Sequence, residues 1–303
     1  MKYAPVSLVM TASLFGACMT DDPTDPASGP QPPDQTDVAP RSGELAVRGE
    51  PRTQAVVGHG ITYHNGPIMT GTNTIYYIWY GNWSGNTATT LLPSFASSIG
   101  GSPYFNINTT YSNAAGTAIS NSVVYGGSTT DSYSAGTSLS DAAIKTVVSS
   151  AISSGRLPKS TSAVYFVLTS QDVTASSGFC TSYCGWHTHG TISGSDIKYS
   201  FVGNPARCPS ACTNSTTSPN GNAGADGMVS IIAHELEEAV TDPDLNAWFD
   251  SSGAENADKC AWTFGSTYTT ANGGVANMSM GGHDFLVQQN WVNAGNGSCA
   301  KAF

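Results

Sequence analysis

One segment of the chain carries residue types at a spacing that can hold a metal ion: Ala233-His234-Glu235-Leu236-Glu237-Glu238-Ala239-Val240. His234 and Glu238 form H-E-x-x-E, a variant of the zinc-binding H-E-x-x-H pattern. Residues four apart on a helix lie one turn apart on the same face. An imidazole and a carboxylate so placed reach one cation, and zinc accepts both at about 2.0–2.2 Å. Glu235 takes the position that serves as general base toward water in H-E-x-x-H enzymes. The chemistry this implies is metal-assisted hydrolysis, of peptide bonds first, with Zn2+ as cofactor. The bland alternative is a solvated, Glu-rich helix face.

A catalytic zinc site wants three protein ligands and an open position. The third ligand has several candidates. Asp244 falls at the spacing of the third ligand in the longer H-E-x-x-H-x-x-G-x-x-H/D pattern, but Thr241 stands where that pattern has glycine. His187 and His189, in Trp186-His187-Thr188-His189-Gly190, come from another segment, as do Glu255 and Asp258. His189, Asp258 and Asp244 are the residues expected to complete the shell, and loop histidines near a disulfide can equally be structural.

Elements must place these groups. Asp226 is expected to cap the helix that runs to about Thr241, where Asp242-Pro243 ends it. Its apolar stripe is Met228, Ile232, Leu236, Ala239 and Val240, largely opposite the His–Glu pair. Asn73–Tyr80 (NTIYYIWY), Val123–Tyr125, Ala163–Leu168 (AVYFVL) and Ile197–Val202 read as strands. Thr87–Ile99 and the segment capped by Ser140-Asp141, running to about Ser154, read as helices. Short strands are expected at Ala247–Phe249 and Phe285–Val287, and the rest of Cys180–Asn222 as loop. The alternation of strands and helices gives an α+β (α/β-like) class: a zincin-like mixed sheet packed with helices, with disulfide-bearing loops.

Tyr63, Tyr76, Tyr77, Trp79, Tyr80 and Trp83 form an aromatic constellation able to stack on sugars. Alternate residues of a strand face opposite ways, so part of this set must be core.

The N-terminus has the layout of an export signal. Met1-Lys2 precedes an apolar run from Tyr3 to Ala17, too short to span a bilayer, which needs about 20 residues. It ends Leu14-Phe15-Gly16-Ala17-Cys18, similar to a lipobox whose cysteine is acylated, with Phe15 where Leu is usual. Residues 1–17 are therefore expected to be a signal peptide and Cys18 the lipidation site. Residues 18–56 are expected to be a disordered, Pro/Asp-rich tether, and 57–303 the globular domain. Cleavage after Ala17 with free secretion is the alternative. Either way the chain works outside the cytoplasm, and it meets a membrane only through the lipid.

The chain has 7 cysteines, 11 Lys plus Arg and a net charge of −10. No basic cluster is present, which argues against nucleic acid as a partner. With Cys18 set aside, Cys180, Cys184, Cys208, Cys212, Cys260 and Cys299 form an even set, expected to pair as disulfides in an exported chain. Their pairing is not legible, and the two C-x3-C pairs could instead bind zinc.

Beyond single motifs, the chain resembles the phosphate-induced protein 1 (EXORDIUM-like) family. The resemblance rests on Tyr63-His64-Asn65-Gly66-Pro67, Ile75-Tyr76-Tyr77-Ile78-Trp79-Tyr80-Gly81, Val167-Leu168-Thr169-Ser170-Gln171-Asp172-Val173 and Gly178-Phe179-Cys180 with Cys184-Gly185. Cys208-Pro209 with Cys212, Asn220-Gly221-Asn222 with Asp226-Gly227-Met228, Asp242-Pro243 with Asn246, and Cys299 continue it in order, so it spans about His59 to Cys299. It implies secretion, disulfides and, in plants, a cell-wall protein linked to growth control with no established chemistry. Plant members lack the His–Glu pair, so this chain departs from them toward a metallopeptidase-like helix.

Two readings follow. In one, the protein is a lipid-anchored EXORDIUM-like hydrolase of peptides, with His234 and Glu238 as ligands and Glu235 as base. In the other, it is a non-catalytic surface protein that binds cell-wall polysaccharide or a protein partner. A purely structural metal is a third possibility.

Overall fold

The structure is a computed structural model. It describes Met1 and residues 42–49, 60–215 and 217–303. The expected signal peptide beyond Met1, the expected lipidation site Cys18 and, apart from residues 42–49, the expected tether lie outside the described residues.

The centre is a six-stranded mixed sheet. Its strands are β1 (Ser42–Ala46), β2 (Asn73–Tyr80), β3 (Val123–Asp131), β4 (Ala163–Thr169), β5 (Tyr183–Ile192) and β6 (Ser195–Val202). In space the order is β1-β5-β6-β4-β2-β3. The middle is parallel: β2 pairs with β3 and β4, and β4 pairs with β6. β5 and β1 are antiparallel additions at one side. Three helices matter here: α1 (Ala88–Ala96), α2 (Asp141–Ser153) and α3 (Ala223–Thr241). The class is α+β, as the alternation of elements predicts.

Local chemistry accounts for most of this. β4 (AVYFVLT) is buried along its whole length, as parallel strands covered on both faces are. Ser140 caps α2, its side chain accepting from the Ala143 amide at 3.1 Å. β3 runs past Tyr125 to Asp131, with a bulge at Gly126 that shifts the register between Ile75 and Tyr76 of the neighbouring strand. A side chain at Gly126 would meet the Tyr76 ring at 2.4 Å.

Three sequence expectations need correction. The Cys-rich stretch is not mainly loop: Tyr183–Ile192 is a ten-residue strand. Its sequence, YCGWHTHGTI, lacks the β-branched density that marks a strand. Tertiary cover decides instead, with Tyr183 and Trp186 fully buried. A two-residue turn with both Ser193 and Gly194 at positive φ returns it to β6. Residues 42–46, assigned by composition to the tether, form β1, because Leu45 and Val47 bury against the sheet edge. The helix cap is Asn222, whose side chain accepts from the Ala225 amide at 3.0 Å, and not Asp226.

The aromatic set is largely core: Tyr76, Tyr77, Trp79, Tyr80 and Trp83 are buried. The six cysteines form three disulfides, Cys180–Cys208, Cys184–Cys212 and Cys260–Cys299. None of them is left to ligate zinc. Three disulfides fit an oxidising, extracellular compartment. No helix among the described residues is long and apolar enough to cross a membrane.

Candidate metal centre

The His–Glu helix is not a solvated face. His234, Glu235, Glu237 and Glu238 are each 0 % exposed. A buried carboxylate is costly unless it is paired, hydrogen-bonded or bound to a metal. Each of these groups therefore needs a physical account.

Three elements converge on Glu238. From its own helix, His234 Nε2 lies 3.0 Å from Glu238 Oε1, the one-turn relationship expected from the spacing. From β5, His187 Nε2 lies 3.8 Å from Glu238 Oε2 and 3.1 Å from Glu255 Oε2. From the segment after the helix, Asp258 Oδ1 lies 3.5 Å from His234 Nε2, and the Asp258 amide donates to Glu238 Oε1 at 3.0 Å. Two triads result, His187/Glu238/Glu255 and His234/Glu238/Asp258, sharing Glu238. Within each triad the donor atoms lie within 4.8 Å of one another, a span one cation can bridge.

The segment carrying Glu255 and Asp258 is fixed from three directions. The Asn256 side chain donates to the Glu237 carbonyl at 3.1 Å. Lys259 donates to Asp250 at 2.9 Å. The Cys260–Cys299 disulfide ties the 258–260 turn to the C-terminal hairpin. Glu255 and Asp258 therefore stand on a braced turn.

The chemistry of the donor set suits a first-row divalent cation. Burial lowers the His187 pKa to about 4, with the charges of Asp242 and Asp258 opposing it, so the imidazole is neutral. Neutral imidazole is the form that ligates metals. The Gln288 side-chain amide contacts His234 Nδ1. With its oxygen turned to the ring it accepts the Nδ1 proton and leaves the Nε2 lone pair for a cation. Gln288 has no sequence signal; only the fold brings the C-terminal segment to the helix.

Glu235 lies beside this set. Burial raises its pKa well above the usual carboxylate range, and the charges of Asp258 and Glu255 add to the effect. Neither of its carboxylate oxygens makes a hydrogen bond of ordinary geometry, though the nearby Leu45 amide favours the charged form. Glu237 points elsewhere. Asn290 donates to its Oε2 at 2.5 Å, and its raised pKa comes from burial, with the Asn108 and Asn290 hydrogen bonds opposing it.

Of the expected third ligands, Asp258 joins His234 and Glu238. His189 and Asp244 do not: they meet in a second cluster with Asp196, whose Oδ1 is 2.8 Å from His189 Nδ1. The Lys198 ammonium sits between Asp196 and Asp244. The two carboxylates share that one cation, so the second cluster has the make-up of a half-exposed ion-pair network. The strand period explains the split, since it places His187 and His189 on one face but two residues apart along it.

Comparison with known proteins places the chain. Residues 61–290 match the model of the phosphate-induced protein 1 conserved region. The chain is similar to Protein EXORDIUM-like 5 of Arabidopsis thaliana, 33 % identical over 273 residues, covering 76 % of this chain and 75 % of the relative. It is also similar to Protein EXORDIUM-like 3 of the same plant, 30 % identical over 240 residues, covering 68 % and 69 %. No solved structure gives a significant match. With the family model matching most of its length, this chain belongs to the phosphate-induced protein 1 (EXORDIUM-like) family.

Proposed function

We propose that the protein is an exported, lipid-anchored hydrolase of peptides that uses a divalent cation, zinc first, held around Glu238. One observation carries the reading: two buried imidazoles and two buried carboxylates, with the half-buried Asp258, converge from three separate elements, beside a buried Glu235 whose oxygens make no ordinary hydrogen bond. Metal-binding sites account for such a convergence of carboxylates and imidazoles away from water.

In this reading His234, Glu238 and Asp258 hold the cation, with His187 and Glu255 facing Glu238 from the opposite side. Gln288 sets the His234 tautomer. A zinc ion would supply Lewis acidity and lower the pKa of a water to about 7. Glu235 accepts a proton from the attacking water and returns it to the leaving amine. Burial raises its pKa and so favours the protonated form that returns the proton. The late H-E-x-x-E helix packed on a mixed sheet supports reading the architecture as zincin-like. Export and acylation at Cys18 rest on the N-terminal sequence and agree with the disulfides.

The deciding measurement is metal content by mass spectrometry, on protein purified from an oxidising compartment without chelator. About one zinc per chain is expected, and it should be lost in the His234→Ala, Glu238→Ala double variant. No metal after incubation with excess zinc would overturn the reading.

A further inference from the structure

The first strand lies on the edge of the sheet that carries the candidate site. β1 pairs antiparallel with β5, Ser42 opposite His187, Leu45 opposite Gly185 and Ala46 opposite Tyr183. Its register slips on both sides of Leu45. β1 also packs against α3 and against the 258–260 turn. It therefore touches all three elements that supply the site. Leu45 is 1 % exposed and Val47 7 % exposed.

The strand is held mostly through its backbone. The Val47 amide donates to the Ser182 carbonyl at 3.1 Å and the Arg48 amide to Ala211 at 2.8 Å. Trp262 Nε1 donates to the Ala46 carbonyl at 2.9 Å. Arg48 donates to the Asn214 carbonyl at 2.8 Å, and its guanidinium lies 5.4 Å from the centre of the Trp262 ring. Main-chain bonds with alternate apolar side chains set into the protein, as Leu45 and Val47 are here, are how an extended peptide binds a sheet edge.

A second, independent observation separates β1 from the rest of the sheet. The family match begins at residue 61, downstream of β1. The matched region therefore ends its sheet at β5, and an edge strand presents unpaired amides and carbonyls to any extended chain.

We propose that the β5 edge is a docking site for an extended peptide with an apolar side chain at the Leu45 position, and that β1 is its intramolecular occupant, closing the site until displaced. The proposal takes its substrate class from the hydrolase reading above, but the docking itself needs no metal. A strand tethered in the same chain acts at an effective concentration on the order of millimolar, so a free peptide of ordinary affinity does not displace it. Such a strand shields the buried cluster and excludes substrate at once.

The test uses the full chain and a fluorescein-labelled peptide of residues 41–49. Leu45→Asp replaces the apolar anchor with a charge and should release β1. The variant is expected to bind the labelled peptide at least tenfold more tightly than the wild type does, and to bind a scrambled peptide no better. Hydrogen exchange at the Tyr183–His187 amides should rise in the variant and be restored by the peptide. If Leu45→Asp compromises folding, judged by circular dichroism and disulfide content, the milder pair Val47→Ala, Arg48→Ala, confined to the displaced segment, replaces it with the same expectations. A folded variant whose β5 amides stay protected, or which captures no peptide, overturns the proposal. Peptide capture by a chain that binds no zinc would sink the hydrolase reading and leave the docking edge standing.

Discussion

Gly185 and Glu235 meet so closely across the β5–α3 contact that a Cβ at position 185 would force its neighbours to shift. A Cβ there would lie 3.0 Å from Glu235 Oε1, 2.4 Å from Ile231 Cγ2 and 3.0 Å from the Phe201 carbonyl. The absence of a side chain lets α3 approach β5, and this approach brings His187 to Glu238. Gly185→Ala is therefore expected to destabilise the fold by about 1–3 kcal/mol, the usual cost of overpacking. It should also weaken metal retention, because the helix must move away from the strand. Thermal melts and metal analysis of the same preparation check both.

Glu235→Gln keeps the shape and removes the base. Metal content should stay at the wild-type level while peptide hydrolysis falls by at least about a hundredfold, the low end of a general base's contribution. The variant should also be no less stable than the wild type, since it buries an amide where the wild type buries an ionisable carboxyl. Unchanged turnover in a metal-loaded Glu235→Gln protein would remove Glu235 from the mechanism.

Gln288 touches His234 Nδ1 from a separate C-terminal segment. Partners of this kind orient metal-bound histidines, and their loss typically weakens metal affinity about 10–100-fold. Gln288→Leu should show that loss in competition with a chelator indicator. Gln288→Glu should retain much of the affinity, because a carboxylate can accept the same Nδ1 proton.

The helix was legible in the sequence because its signals are local: a spacing of four, a cap region and a proline stop. The central strands were legible from β-branched and aromatic density. β5 was not, because the Gly, Cys, His and Thr of YCGWHTHGTI carry little strand signal, and burial by α3 and the disulfides makes the strand. That miss scattered the site. His187 and Glu255 were visible only as residue types of the right chemistry, and nothing local set them against Glu238. Gln288 carried no signal at all. The solvated-face alternative for His234 and Glu238 also rested on local pattern. Cover from β1, β5 and the C-terminal segments, which sequence periodicity does not report, is what removes it.

Asp250 braces the turn that carries Glu255 and Asp258. Burial alone would raise its pKa, but hydrogen bonds from Ser252, from Lys259 and from the Ser252 and Ala254 amides outweigh it and hold the pKa below the ordinary value. A depressed carboxyl stabilises the fold above its unfolded pKa, and that contribution is lost as pH falls through the folded one. Unfolding experiments should therefore show an acid limb below about pH 4 that is shallower in Asp250→Asn. At pH 7 the variant should lose about 1–3 kcal/mol, the range for a hydrogen bond to a charged group left unmade. Identical acid limbs would mean that the Lys259 contact contributes nothing to the brace.

His187 and His189 stand two residues apart on β5 and face different partners, which makes them a controlled comparison. His187 meets Glu255 at 3.1 Å inside the buried set. His189 meets Asp196 at 2.8 Å in a cluster whose two carboxylates share the Lys198 ammonium. His187→Ala should lower zinc content or affinity at least tenfold, because it removes a buried imidazole from the set around Glu238. His189→Ala should leave zinc stoichiometry unchanged and cost no more than about 1 kcal/mol, as a half-exposed ion pair does. The opposite pattern, with zinc lost on removal of His189 and kept without His187, would move the metal to the Asp196–Asp244 cluster. Lys198 would then have to vacate its place, and Lys198→Met should raise metal affinity there. Equal retention in both single variants would leave His234, Glu238 and Asp258 as the whole protein shell, the three-ligand set with an open position that hydrolytic zinc sites use.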